Sequence, residues 1–169
     1  MPDFRSDRPL DTNLLGRAND VLFHEAALLD GQDYAAWLEM WAPDALYIVP
    51  TAYESLEDYS TVLNYIHDDA DMRRRRVQRL LSGSVHAMTP PSRTLRSVSQ
   101  VRLLERDALR DEVRVTSSLY ILVARSGTQR MIGAQVEHRL RLGSAAPIAG
   151  KICRLLDADQ AQGDLTFLI

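Results

Sequence analysis

The sequence predicts an α+β fold, a bent antiparallel sheet with helices packed on one face. Two observations carry this. Segments with helical apolar spacing come first, and long alternating segments then follow one another as consecutive strands. A turn at Ser126-Gly127-Thr128 joins the two clearest of those strands.

Asp11 or Thr12 can cap a first helix running to about Gly31, with Leu14, Ala18, Val21, Leu22, Ala26 and Leu29 at helical spacing. Asp33 can cap a second, short helix carrying Tyr34, Trp37, Leu38 and Trp41, with Pro43-Asp44 as the turn that stops it. Ala45 to Thr51 is apolar, β-branched and bounded by proline, which is strand composition. Ala52 to Tyr59 reads as an acidic loop, and Ser60 to Ile66 as another short strand. From Glu112 to Arg125, the odd positions Val113, Val115, Ser117, Leu119, Ile121 and Val123 form one face. The next strand sets Ile132, Ala134, Val136, His138, Leu140 and Leu142 opposite Gln135, Glu137, Arg139 and Arg141. A small-residue loop, Gly143 to Gly150, leads to a last strand, Lys151 to Leu156.

At 169 residues the chain is expected to form a single domain over 1–169, with 1–11 as a loosely ordered arm. Its apolar fraction of 46% and charged fraction of 25% are those of an ordinary soluble protein. A formal net charge of -3 gives no global reason to expect nucleic acid. No apolar run approaches membrane-spanning length, and Met1 to Asp11 has no apolar signal-peptide core. The expected compartment is the cytoplasm, and a single cysteine, Cys153, agrees with it because no internal disulfide is possible.

The stretch from Tyr65 to Val101 packs three local instructions into a short span. His67-Asp68-Asp69 places acids ahead of a helix; Arg73 to Leu81 reads as a short basic helix stopped at Gly83. Pro90-Pro91-Ser92-Arg93-Thr94 is a stiff extended corner, after which strand-like alternation begins. These motifs, with Val98-Ser99-Gln100-Val101, resemble the small (β) subunit of aromatic-ring-hydroxylating dioxygenases. The resemblance extends to His24-Glu25-Ala26 with Leu29-Asp30, to Tyr34 and Trp37, and to Tyr47-Ile48-Val49-Pro50. It takes in the tail as well, from Leu155-Leu156-Asp157 to Phe167-Leu168-Ile169, and so covers the chain from about Asn19 onward. Where the family usually continues with a basic residue and a histidine, this chain has Leu95-Arg96, which puts carried-over contacts there in doubt.

The resemblance implies the cone-shaped fold shared with nuclear transport factor 2 and ketosteroid isomerase, a curved sheet around a pocket closed by N-terminal helices. It implies a structural β subunit without catalytic residues, trimeric within an α3β3 assembly. The large α subunit would hold the Rieske [2Fe-2S] cluster and the mononuclear iron, and electrons would come from NAD(P)H through reductase proteins. A Rieske cluster takes two cysteines and two histidines, so one cysteine cannot hold it; no cofactor or metal is expected in this chain.

Arg73, Arg74, Arg75, Arg76 and Arg79, with Pro90, Pro91, Ser92, Arg93 and Arg96, are the candidate subunit contacts. Arginine is favoured in interfaces, and the acids flanking the run argue against nucleic acid. Four consecutive arginines point all round a helix, so at least one is expected in a buried ion pair.

The alternative is a stand-alone cone-fold enzyme of dehydratase or isomerase type, or a small-molecule binding module. Its pocket candidates are His24, Tyr47 and His138. His138 lies on an apolar strand face and suits proton transfer, but a hydrogen-bonded core histidine is the preferred reading. His24, beside Glu25 and near Asp30, is expected to point inward toward Tyr47, either for catalysis or in a buried polar network; the network is preferred. His67-Asp68-Asp69 has the composition of a metal cluster, yet neighbouring side chains diverge, and helix capping explains the acids better.

Overall fold

Ala18, Leu22, Glu25 and Leu29 recur at alternating four- and three-residue steps, and that buried stripe organises the first helix, α1 (Thr12–Asp30). A computed structural model of the chain describes residues 12–56, 58–82, 92–159 and 167–169. The expected N-terminal arm, Gly83, Pro90 and Pro91 lie outside the described residues. Gln32 takes the left-handed conformation just past α1, at φ 56, and Asp33 N donates to Leu28 O at 2.9 Å, closing the helix end. Asp33 then caps the short helix α2 (Tyr34–Glu39), its carboxylate accepting from Ala36 N at 3.2 Å.

Two expected boundaries need correction here. Trp41 does not belong to α2 but opens strand β1 (Trp41–Pro50), and Pro43-Asp44 lies within that strand. The pairing of β1 with the last strand, β6 (Ile148–Leu155), shifts register between Trp41 and Leu46. Such an irregularity tolerates a proline, which has no N–H for the ladder. The second strand, β2, spans Asn64–Asp68, later than the expected 60–66, because Asp58 caps a single 3-10 turn at Tyr59–Thr61. Helix α3 spans Ala70–Leu81, with Asp69 as its cap accepting from Met72 N at 2.9 Å.

Strands β3 (Arg93–Asp107), β4 (Glu112–Arg125) and β5 (Thr128–Leu140) complete one six-stranded sheet in the order β2-β1-β6-β5-β4-β3. All neighbours are antiparallel except the parallel pair β1 and β6. Ser126 and Gly127 both have positive φ, 50° and 79°, giving the tight β4–β5 hairpin the twist its strands need. Gln100, at φ 52, sits where the β3–β4 register shifts, a bulge of the kind that bends a strand. The sheet therefore curves, and its concave face carries the expected alternation: Val113, Val115, Ser117, Leu119, Ile121 and Val123 from β4 are all buried. Helix α1 packs across β3, and Phe167, Leu168 and Ile169 are buried in the same core. This is the α+β cone. Among the described residues, no helix is long and apolar enough to cross a membrane.

Candidate functional site

The concave face meets α1 at a carboxylate. Glu25 occupies the middle of the α1 stripe and is 4% exposed. Its Oε1 accepts from Lys151 Nζ at 2.8 Å and from Trp37 Nε1 at 3.1 Å, and its Oε2 lies 3.0 Å from His138 Nε2. Lys151 reaches this point because β6 turns its odd residues inward, and Cys153 and Leu155 share that face. Lys151 Nζ also donates to the main-chain oxygen of Ile169 at 2.9 Å. Tyr47 OH donates to the same oxygen at 2.9 Å and accepts from Ile169 N at 3.0 Å, so the tail is held from two sides.

The electrostatics follow from those partners. Burial raises the Glu25 carboxyl pKa, but the Lys151 charge and the His138 hydrogen bond outweigh it and hold the group well below the usual carboxylate range. Burial lowers the His138 pKa and Glu25 only partly opposes it, so the imidazole is neutral near pH 7 and donates from Nε2. Burial likewise keeps Tyr47 protonated and pushes the Cys153 thiol up to about 11. The result is a fixed, satisfied ion pair carrying a neutral histidine.

Of the expected pocket residues, His24 needs correction. It is exposed, and Glu25, one residue and about 100° further round the helix, takes the inward position. Tyr47 and His138 are buried as expected, but the three do not converge on an open cavity. The cavity beside His138 is about 10 Å³, lined by Leu22, Glu25, Arg96, Ser117 and Leu119 among others. That is at most the room of a single water. A wider groove of about 520 Å³ opens over Leu46, Ile48, His67, Arg139 and Ile152, side chains of the opposite sheet face; His138 and Lys151 also border it, though both are buried, 4% and 3% exposed.

The basic helix is also not what its charge run suggests. Arg73 is 2% exposed; it donates to Ala45 O at 2.5 Å, Asp68 O at 3.2 Å and Ala42 O at 3.3 Å, and lies 4.5 Å above the Trp41 ring. Arg76 pairs with Asp68 through two hydrogen bonds, of 2.5 and 3.0 Å, and Arg74 pairs with Asp71. Arg96 is turned inward, its guanidinium bound to Asp30, Thr94 Oγ1 and Leu168 O. Arg73 and Arg96 are thus corrected from surface contacts to internal clamps that satisfy carbonyls and acids of this chain. Arg74, Arg75, Arg79 and Arg93 remain exposed, whereas Ser92 is buried and accepts from Gln32 Nε2 at 3.0 Å through its main-chain oxygen.

His67, Asp68 and Asp69 diverge as strand geometry requires. His67 faces out, Asp68 is buried against Arg76, and Asp69 caps α3. Among the described residues, no group of three His, Cys, Asp or Glu side chains is placed to hold a metal ion.

Residues 24–158 match the family model described as the ring hydroxylating beta subunit. The chain belongs to that family. It is 33% identical, over 153 residues covering 89% of this chain and 84% of the relative, to the small oxygenase component of the p-cumate 2,3-dioxygenase system of Pseudomonas putida. It is 29% identical to the benzoate 1,2-dioxygenase subunit beta of Acinetobacter baylyi, covering 62% of this chain and 64% of that one. Among solved structures, a chain of naphthalene 1,2-dioxygenase with indole bound in the active site superimposes with a TM-score of 0.81. It is 20% identical and covers 96% of this chain and 89% of that one. The benzoate 1,2-dioxygenase beta subunit of Burkholderia mallei gives 0.72 at 22% identity, covering 89% and 95%.

This ring-hydroxylating β subunit has a donor set that does not fit a Rieske cluster. Two cysteines are needed, and the single one, Cys153, is fully buried, which keeps its thiol protonated. Sequence reasoning had missed Lys151 and the Asp30–Arg96 clamp. For Lys151 a signal existed, since alternation with Cys153 and Leu155 places it on the core face, where only an opposite charge makes a cation tolerable.

Proposed function

We propose that this chain is the scaffold subunit of an aromatic-ring-hydroxylating dioxygenase and carries out no step of the oxygenation itself. The observation that supports this most directly is the fate of the interior. Where the cone would enclose a substrate, the space is about 10 Å³, and Glu25 has every partner within its own chain. A fully paired carboxylate beside a neutral, buried histidine holds the helices and the tail on the sheet; no benzene-sized molecule fits beside it.

On this reading, a large α subunit carries the Rieske cluster and the mononuclear iron and adds both atoms of O2 to an aromatic ring, with electrons from NAD(P)H. The β chains form a trimer under the α trimer in an α3β3 particle. Naming by the relatives as small or beta components of oxygenases supports the partnership. The subunit contacts fall on side chains that the fold leaves outward: Arg75 and Arg79, beside Met72, Gln78 and Ser82 around an open groove on α3, and Arg93 at the start of β3. Desolvated arginine with adjacent apolar surface is the composition that interfaces favour.

The test is turnover in the assembled enzyme. Glu25→Gln in this chain should leave ring hydroxylation per intact, iron-loaded assembly within about twofold of wild type while lowering thermal stability. A tenfold or larger loss in kcat, with assembly and iron content unchanged, would falsify the scaffold role.

A further inference from the structure

Among the buried polar atoms that have no partner in the protein are the Nδ1 of His138 and the Nε of Arg96. Both residues line the same cavity of about 10 Å³, and Ser117 lines it with them. Neither side chain is free to turn away. His138 is held through Nε2 by Glu25 at 3.0 Å. The Arg96 guanidinium is held through Nη1 by Asp30 and Thr94 and through Nη2 by Leu168 O.

The two orphans are complementary in kind. Because the Glu25 carboxylate accepts from Nε2–H, the neutral imidazole presents a bare acceptor at Nδ1. Arg96 Nε always carries a hydrogen and presents a donor. One small molecule that both accepts and donates would satisfy the pair. The cavity volume admits nothing beyond a single water, and the Arg96 charge beside it disfavours a cation.

We infer that one ordered water occupies this cavity, accepting from Arg96 Nε–H and donating to His138 Nδ1, with the Ser117 hydroxyl as its third partner. The site has a structural consequence. The water joins two separate clamps, Asp30–Arg96–Leu168 and Glu25–Lys151–Ile169, into one polar chain that ties α1, β3, β5, β6 and the tail together. Buried waters with about three such partners are integral parts of protein interiors.

The experiment is a high-resolution crystal structure of the full chain, in whatever assembly it forms. A density peak within hydrogen-bond reach of both atoms, roughly 2.7–3.2 Å, is expected. An empty cavity, or a peak reaching only one of the two atoms, overturns the inference. Ser117→Thr supplies a second, independent sign test, since it keeps the hydroxyl and adds one methyl at a strand position that favours threonine. If water is present, its displacement strands both polar atoms, and the melting temperature falls by roughly 4–24 °C. If the cavity is dry, the methyl fills apolar space, and the melting temperature holds or rises; that result contradicts the water.

Discussion

Glu25→Ala is the perturbation that most sharply probes how this fold is held. It removes one carboxylate and with it the partners of Lys151 at 2.8 Å, His138 at 3.0 Å and Trp37 at 3.1 Å. Lys151 is 3% exposed and cannot reach solvent, so its charge is left with the Ile169 oxygen and the face of the Tyr47 ring, 5.8 Å away. Breaking a buried pair from one side costs about 3–5 kcal/mol, because the surviving charge stays desolvated. A domain of this size has a total stability of roughly 5–15 kcal/mol, and each kcal/mol moves its midpoint by about 2–4 °C. The expected fall in melting temperature is therefore roughly 6–20 °C, read by thermal melts and denaturant titration of the full chain, alone and with its partner. Removing both charges, as Glu25→Leu with Lys151→Met, should recover part of that loss, since nothing charged then remains buried there. A Glu25→Ala loss under about 1 kcal/mol, or a double variant that loses the full sum of the singles, would refute the reasoning.

The other expectations follow the same logic. Arg73→Ala, which strands the oxygens of Ala42, Ala45 and Asp68 and uncovers Trp41, should cost about 3 kcal/mol or more, while the exposed Arg75→Ala stays within about 0.5 kcal/mol by denaturant titration. Glu25 has its folded pKa below the unfolded value of about 4.3, so its contribution is present above that value and is lost as pH falls through the folded one. The folded pKa of His138 is depressed too, so below about pH 6.5 the unfolded chain takes up a proton that the folded chain refuses. Stability measured against pH should thus decline from about 6.5 downward in two stages, and His138→Gln should flatten the upper one; a curve level from about pH 6.5 to 4 would contradict the His138 assignment, and one that stays level below about pH 4 the Glu25 assignment. Charge reversal of Arg75 and Arg79 to Glu should weaken co-purification with the large subunit without lowering the melting temperature of this chain. Gly127→Ala places a side chain at φ 79 in the β4–β5 turn and should cost about 1 kcal/mol in a thermal melt.

The fold was legible wherever local pattern and tertiary burial agree. The odd-position alternation of β4, the even-position face of β5 and the Ser126-Gly127 turn are local statements that the sheet simply uses. Capping was legible too, as Asp33 and Asp69 show. The misreadings share one cause, namely that distant backbone decides the outcome. Pro43-Asp44 carries turn chemistry, yet pairing with β6 through an irregular register keeps it in a strand. Arg73 sits in a run read as subunit contact with at least one arginine turned inward, and three carbonyls from β1 and β2 decide that it is this one. Arg96 follows a corner that reads as subunit contact, yet Asp30, 66 residues earlier, claims it. His24 was expected inward because its apolar neighbours form a broad stripe; only the position of Lys151 on β6 makes Glu25 the residue that must face the core.

The scaffold role depends on a partner subunit. Affinity purification of the tagged full chain from cells grown on an aromatic carbon source, with mass spectrometry of what accompanies it, tests this most directly. The expected result is a larger chain in equal amount, bearing paired Cys-x-His and Cys-x-x-His motifs able to hold a Rieske cluster. Recovery of this chain alone, folded and without such a partner, would contradict the account and return attention to the interior around His138.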